Sequence, residues 1–147
     1  MDQPLKWSDS FMVGHGALDA EHCELMAAIN GVCEACMAGE RERLGALLKT
    51  VEQVTAAHLK HEDDVMRDIA TDRGSRLDGE VKAMTKRAID RHVAEHERNL
   101  ANLRAIMSKA ESEPDCGAAQ ICADLKQWFL DHAVKYDSHL KTIFQAI

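Results

Sequence analysis

The sequence predicts an all-α fold: an antiparallel up-down-up-down four-helix bundle with an N-terminal arm and an elongated hairpin between the second and third helices. Three features of the 147-residue chain carry that expectation. Glycine and proline number only 8 and 2, so breaking points are few. Aromatics make up 4%, and Ala, Leu, Glu, Lys, Met and Arg, the good helix formers, dominate. Apolar residues recur at steps of three and four along four stretches, as amphipathic helices with short links require.

Residues 1–147 read as one domain, with residues 1–18 an arm and 19–147 the bundle. The arm holds Trp7, Phe11, Gly14 and Gly16, and its two aromatics are expected to close one end of the bundle. Asp19 can cap a first helix that runs to about Ala38, where Gly39 ends it. Its stripe is Leu18, His22, Leu25, Ile29, Val32, Cys36. A second helix spans about Glu40 to Ala70, with the stripe Leu44, Leu47, Val51, Val54, His58, Glu62, Val65, Ile69. Thr71–Arg76 is a turn signal around Gly74. A third helix spans about Asp78 to Glu111, with Val81, Ala88, His92, His96, Leu100, Leu103 and Met107 inward. Pro114 and Gly117 break the chain before a fourth helix, about Ala118 to Ala146, with Ile121, Leu125, Trp128, His132, Tyr136 and Leu140 inward.

Charge and composition exclude several classes. Lys and Arg total 18 against 25 Asp and Glu, a net of −7. That balance argues against nucleic acid and against an anionic membrane surface as partners. No apolar run reaches the roughly 18 residues a membrane span needs. The polar start of the chain has no signal-peptide core, which makes the cytoplasm the expected location. The five cysteines, Cys23, Cys33, Cys36, Cys116 and Cys122, are an odd number. They read as small reduced thiols rather than a disulfide framework. The single Cys33-Glu-Ala-Cys36 pair is weak evidence for zinc or redox work.

The apolar stripes contain residues that an ordinary core does not need. His22, His58, Glu62, His92, His96 and His132 all fall on core-facing positions. Buried imidazoles and carboxylates are costly unless paired, hydrogen-bonded or bound to metal. One histidine in a core is ordinary; five spread over four helices are not. His58 and Glu62, and again His92 and His96, are four apart and therefore stacked one turn above the other. His132 and Asp137 are five apart, about 140° around an ideal helix. Both point inward only if the helix is locally distorted, as a π-type bulge would do. Imidazole and carboxylate donors without thiolate suit iron, manganese, zinc or copper. Seven candidates exceed one tetrahedral ion and suit two ions bridged by carboxylates.

These motifs resemble those of hemerythrins, specifically single-domain bacterial ones. The arm Trp7…Phe11-Met-Val-Gly14 with Leu18-Asp19-Ala-Glu-His22 resembles the family's opening. His58-Leu-Lys-His-Glu62-Asp63-Asp-Val-Met66, His92-Val-Ala-Glu-His96 and Trp128-Phe-Leu-Asp-His132-Ala-Val-Lys-Tyr-Asp137 resemble its second, third and fourth helices. The likeness covers nearly the whole chain. It implies a non-haem di-iron site with an oxo or hydroxo bridge. His92, His96 and His132 would hold one iron, His22 and His58 the other, and Glu62 and Asp137 would bridge them. It implies reversible binding of dioxygen for storage, delivery or sensing. The competing reading is a di-iron oxidase, peroxidase or nitric-oxide-handling enzyme, against which the imidazole-rich donor set speaks. Iron storage or a purely structural metal bundle is a third class, which would form no oxygen adduct.

Three departures from the family pattern stand out. Glu62 and His92 are 30 residues apart, about twice the usual linkage, which implies a protruding helical hairpin and a possible docking arm for a protein partner. Leu59 stands where Phe is common, an apolar exchange. Asn99 stands where an aromatic is frequent, so either a polar group admits water near the irons and speeds autoxidation, or Leu100 fills that place instead. Among the remaining histidines, His15 could line the site or an access path, His61 is expected to be solvated, and His139 could support a ligand from outside.

Overall fold

The computed structural model describes residues 4–68, 79–112, 117–136 and 141. A 3-10 turn, Asp9–Phe11, precedes four α-helices: α1 Gly16–Met37, α2 Arg41–Asp68, α3 Gly79–Ser112 and α4 Ala118–Leu130. A π-helical turn, Asp131–Tyr136, continues α4 directly. No strand occurs among the described residues. Helix α1 packs on α2 and α4, and α3 packs on the same two, so the four form a helical bundle.

Helix α1 begins before the expected cap. His15 is its N-cap, and the ring Nδ1 accepts from the Leu18 amide at 3.3 Å. Asp19 lies inside the first turn, where a negative charge favours the helix N-terminus. Its carboxylate accepts from the Val13 amide at 2.7 Å and so ties the arm down. Gly39 ends the helix as expected. Its φ of 72° is left-handed. Its amide donates to Cys36, while Glu40 donates to Ala35, the double bond of a Schellman stop.

The buried stripes of α2 and α3 differ by one position in places from those expected. In α2 the buried line is Leu44, Leu48, Val51, Thr55, His58, Glu62 and Met66, while Leu47, Val54 and Val65 are half-buried. Thr55 is tolerated inside because its hydroxyl donates to the Val51 carbonyl at 2.7 Å. In α3, Asn99 is buried and Leu100 half-buried. In α1, Cys33 is buried and Cys36 half-buried. The turn at 71–76 and residues Ile69, Cys116, Asp137, His139 and Leu140 lie outside the described residues, as do the side chains of Val81 and Tyr136. The length of the second and third helices is partly visible: α3 begins thirteen residues before His92.

Two apolar clusters bracket the polar level of the bundle. The larger one includes Leu25, Ile29, Leu48, Val51, Leu103, Leu125, Trp128 and Phe129. The smaller comprises Val13, Leu18, Met66 and Ile89. On α1, His22 falls between Leu18 and Leu25. On α2, His58 and Glu62 fall between Val51 and Met66, and on α3, His92 and His96 fall between Ile89 and Leu103. The arm closes the larger cluster. Trp7 meets Phe11 edge to face at 5.8 Å, and Phe11 meets Phe129 at 5.3 Å. Phe11 is buried, whereas Trp7 stays 38% exposed.

Candidate metal centre

Each stripe delivers its anomalous residues to one level. Of the seven predicted ligands, six are described: His22, His58, Glu62, His92, His96 and His132. All six are buried. They form two groups that share Glu62. One is His22, His58, Glu62 and His132; the other is Glu62, His92 and His96, and within each group the donor atoms lie within 4.8 Å of one another. The π-type distortion expected near His132 is present: this histidine is the second residue of the Asp131–Tyr136 turn. An i→i+5 turn brings residues five apart toward one face.

Glu62 divides its two oxygens between the groups. Oε1 faces His58 Nε2 at 3.1 Å and His22 Nε2 at 4.0 Å. Oε2 faces His96 Nε2 at 2.8 Å and His92 Nε2 at 3.5 Å. The grouping places His132 on the His22–His58 side, with its Nε2 3.2 Å from His58 Nε2. The resemblance divides the ligands differently, with His132 beside His92 and His96. The His132 ring lies 5.3 Å from that of His58, 5.6 Å from that of His22 and 6.4 Å from that of His96.

The rings are held from outside by groups that the sequence reading missed. His22 Nδ1 donates to the Phe11 carbonyl at 2.8 Å. His58 Nδ1 donates to Glu21 at 2.8 Å, and His96 Nδ1 donates to Asp63 at 2.6 Å. Each of these partners only accepts, so it fixes the proton on Nδ1 and turns the Nε2 lone pair toward Glu62. Acceptors thus face acceptors at hydrogen-bonding distance. Both Glu62 oxygens and His96 Nε2 are buried and make no hydrogen bond among the described residues. A cation between them resolves that conflict, and the donor set of imidazole and carboxylate fits such an ion.

Glu62 is also held in its ionised form by its surroundings. Burial pushes the Glu62 carboxyl up. The surrounding imidazoles of His58, His92, His96 and His132 outweigh it and hold the group well below the ordinary carboxylate range. Glu21 is also lowered: burial raises it, and hydrogen bonds from His58 and His61 outweigh that.

The leftover residues take definite places. His61 is half-exposed and donates to the second Glu21 oxygen at 2.5 Å, which corrects the expectation that it is simply solvated. His15 caps α1 and meets the His61 ring at 5.9 Å. Leu59 is buried. Cys33 and Cys122 are buried, Cys36 is half-buried, and all three belong to the apolar packing. Burial and the neighbouring Cys122 push the Cys36 thiol up to about 11. No helix among the described residues is long and apolar enough to cross a membrane.

A helical bundle with a buried histidine–glutamate cluster defines a cation-binding protein. The family model for the hemerythrin HHE cation-binding domain matches residues 13–144, and the chain belongs to that family. No curated protein and no solved structure matches the chain significantly.

Proposed function

We propose that this chain binds dioxygen reversibly at a non-haem di-iron centre, for oxygen storage, delivery or sensing, and is not primarily an enzyme. His22, His58, Glu62, His92, His96, His132 and Asp137 form the ligand set. The observation that carries this reading is Glu62, a single buried carboxylate whose two oxygens face two separate histidine groups. One carboxylate shared in this way suits two ions rather than one. When bound, the two irons supply the electrons and the open coordination position that dioxygen needs.

The chain's own residues do the rest. The Phe11 carbonyl, Glu21 and Asp63 hold three rings with their lone pairs inward. Glu62, kept ionised, offsets cation charge in a dry layer. The apolar clusters on either side keep bulk water, and with it protons, away. The reading includes the up-down-up-down arrangement and a single domain over residues 1–147. The order of cluster residues supports that arrangement, since α1 and α3 pass from the smaller cluster to the larger and α2 passes back. The reading includes a cytoplasmic setting, which suits Cys23, Cys33, Cys36 and Cys122 lying outside any disulfide among the described residues.

The test is anaerobic reconstitution with ferrous iron, a count of iron per chain, and an oxygen titration followed in the visible spectrum. Two irons and a band that appears with oxygen and disappears under vacuum is the expected result. A stable ferric spectrum with peroxide released or consumed favours the oxidase or peroxidase reading. One metal or none overturns the seven-ligand set.

A further inference from the structure

Cys36 has two cysteine neighbours, one in its own helix and one across the bundle. Cys33 stands three residues earlier on α1. Side chains at that spacing on a helix keep their Cβ atoms about 5–6 Å apart, whereas a disulfide holds them at about 3.5–4.5 Å. A bond between Cys33 and Cys36 would therefore require the last turn of α1 to unwind, and that turn is closed by the Gly39 amide donating to the Cys36 carbonyl. The other neighbour is Cys122, in the second turn of α4. The Cys36 and Cys122 thiols hydrogen-bond to each other, so two sulfurs meet where α1 packs on α4. Their burial is unequal. Cys122 lies inside the larger apolar cluster, fully buried, while Cys36 packs against that cluster and is only half-buried. A small uncharged oxidant reaches the Cys36 sulfur from solvent, whereas Cys122 meets no solvent.

We infer that Cys36 and Cys122 are a peroxide-responsive pair that closes into a disulfide, stapling the end of α1 to the start of α4. Cys36 gives up its proton to solvent, and its sulfur attacks one oxygen of hydrogen peroxide. The S–O bond forms, the O–O bond breaks, and the departing hydroxide takes up a proton as water. The Cys122 sulfur, losing its own proton, then attacks the Cys36 sulfur. The S–S bond forms, the S–O bond breaks, and the second oxygen leaves as water. The two sulfurs lose two electrons and peroxide gains them, giving one disulfide and two waters. Burial and the Cys122 sulfur hold the Cys36 thiol up at about 11, so the first step is slow at neutral pH and needs sustained peroxide. The exposed Cys23 meets peroxide sooner; what sets the pair apart is a second sulfur already in contact. Cys36 lies 14 residues beyond His22 on α1, about 21 Å along the axis, so the staple acts on the far end of the bundle. It joins positions 86 residues apart, which restricts the unfolded chain.

The test is treatment of the full-length chain with hydrogen peroxide at neutral pH, alkylation of the remaining thiols, and non-reducing peptide mass mapping. A linked pair of peptides carrying Cys36 and Cys122, released by dithiothreitol, is the expected result. The urea midpoint of the oxidised protein is expected to rise by about 1 M and to return on reduction. Cys36→Ala and Cys122→Ala are each expected to abolish that rise. Should either variant fail to fold, the peptide map of the wild-type chain carries the test alone. Cys36 linked instead to Cys33, to Cys116 or to Cys23 of a second copy overturns the inference. So does peroxide that oxidises Cys23 and leaves Cys36 and Cys122 as thiols. A midpoint that stays unchanged in the linked protein, or a rise that persists in a folded Cys122→Ala protein, overturns the staple.

Discussion

The backbone carbonyl of Phe11 accepts from Nδ1 of His22 at 2.8 Å. A residue of the N-terminal arm therefore orients a ring at the centre of the bundle. The arm is placed by Phe11 packing against Phe129, by Asp19 accepting from Val13, and by Asn30. The Asn30 side chain accepts from the Leu5 amide at 2.8 Å and donates to the Leu5 carbonyl at 3.0 Å. Phe11→Ala removes a buried ring from this junction. A loss of about 3 kcal/mol is expected. Metal affinity is expected to fall with it, because the carbonyl loses its anchor. Urea unfolding of the metal-free protein reads the first effect and chelator competition the second. Unchanged affinity in a folded variant would show that the arm has no hold on His22.

On the proposed two-ion reading, Glu62 is the residue whose loss separates two ions from one. Glu62→Gln keeps the volume but replaces one oxygen with an amide donor and removes the charge. Bound metal is expected to drop from two per chain to one or none, as measured by elemental analysis after gel filtration. Two ions retained would place the bridge elsewhere.

Acid is expected to destabilise the metal-free protein through its depressed carboxyls. Glu62 and Glu21 both lie below their ordinary values in the folded state. A group of this kind stabilises the fold fully above its unfolded pKa, about 4.3 for Glu. That contribution is lost as pH falls through the lower folded value. Urea midpoints should therefore hold steady from these groups at pH 6 and fall progressively below about pH 4.3. Glu21→Gln should flatten part of that fall. A variant with the same acid slope as wild type would remove Glu21 from the account.

Thiol alkylation should distinguish the cysteines. Cys23 is exposed, whereas Cys33 and Cys122 are buried and the Cys36 thiol is pushed up to about 11. Only thiolates react, so at pH 8 Cys36 is almost wholly inert. Iodoacetamide followed by peptide mass mapping is expected to label Cys23 well before Cys33, Cys36 or Cys122. Equal labelling of Cys36 would show that its environment opens in solution.

The helices and the inner histidines were legible because the anomaly and its background share one period. His22, His58, Glu62, His92, His96 and His132 occupy the places that Leu or Val fills elsewhere on the same faces. The outer partners left no such mark. Glu21 and Asp63 sit beside ligands in sequence, where a charged residue looks like an ordinary solvent-facing one. Only the neighbouring helix shows that each reaches a ring. The Phe11 contribution is a backbone carbonyl, which has no signature in side-chain pattern. The choice of Thr55 over Val54 was hidden for a related reason. Its hydroxyl is satisfied within its own helix, so it is less polar in place than in the sequence. His15 was missed as a cap because imidazole is an uncommon acceptor there, and the better-known Asp19 stood four residues on.

The π-helical turn Asp131–Tyr136 has a consequence for how this helix can change. Relative to a regular helix, such a turn is a one-residue insertion absorbed without a break. Within Asp131–Tyr136 the register slips by about 100° around the axis against an uninterrupted helix. Deleting a single residue from 131–136 would replace that turn with regular winding in one step. Point substitutions around His132 can alter the centre by degrees, whereas a change in length there is all or nothing.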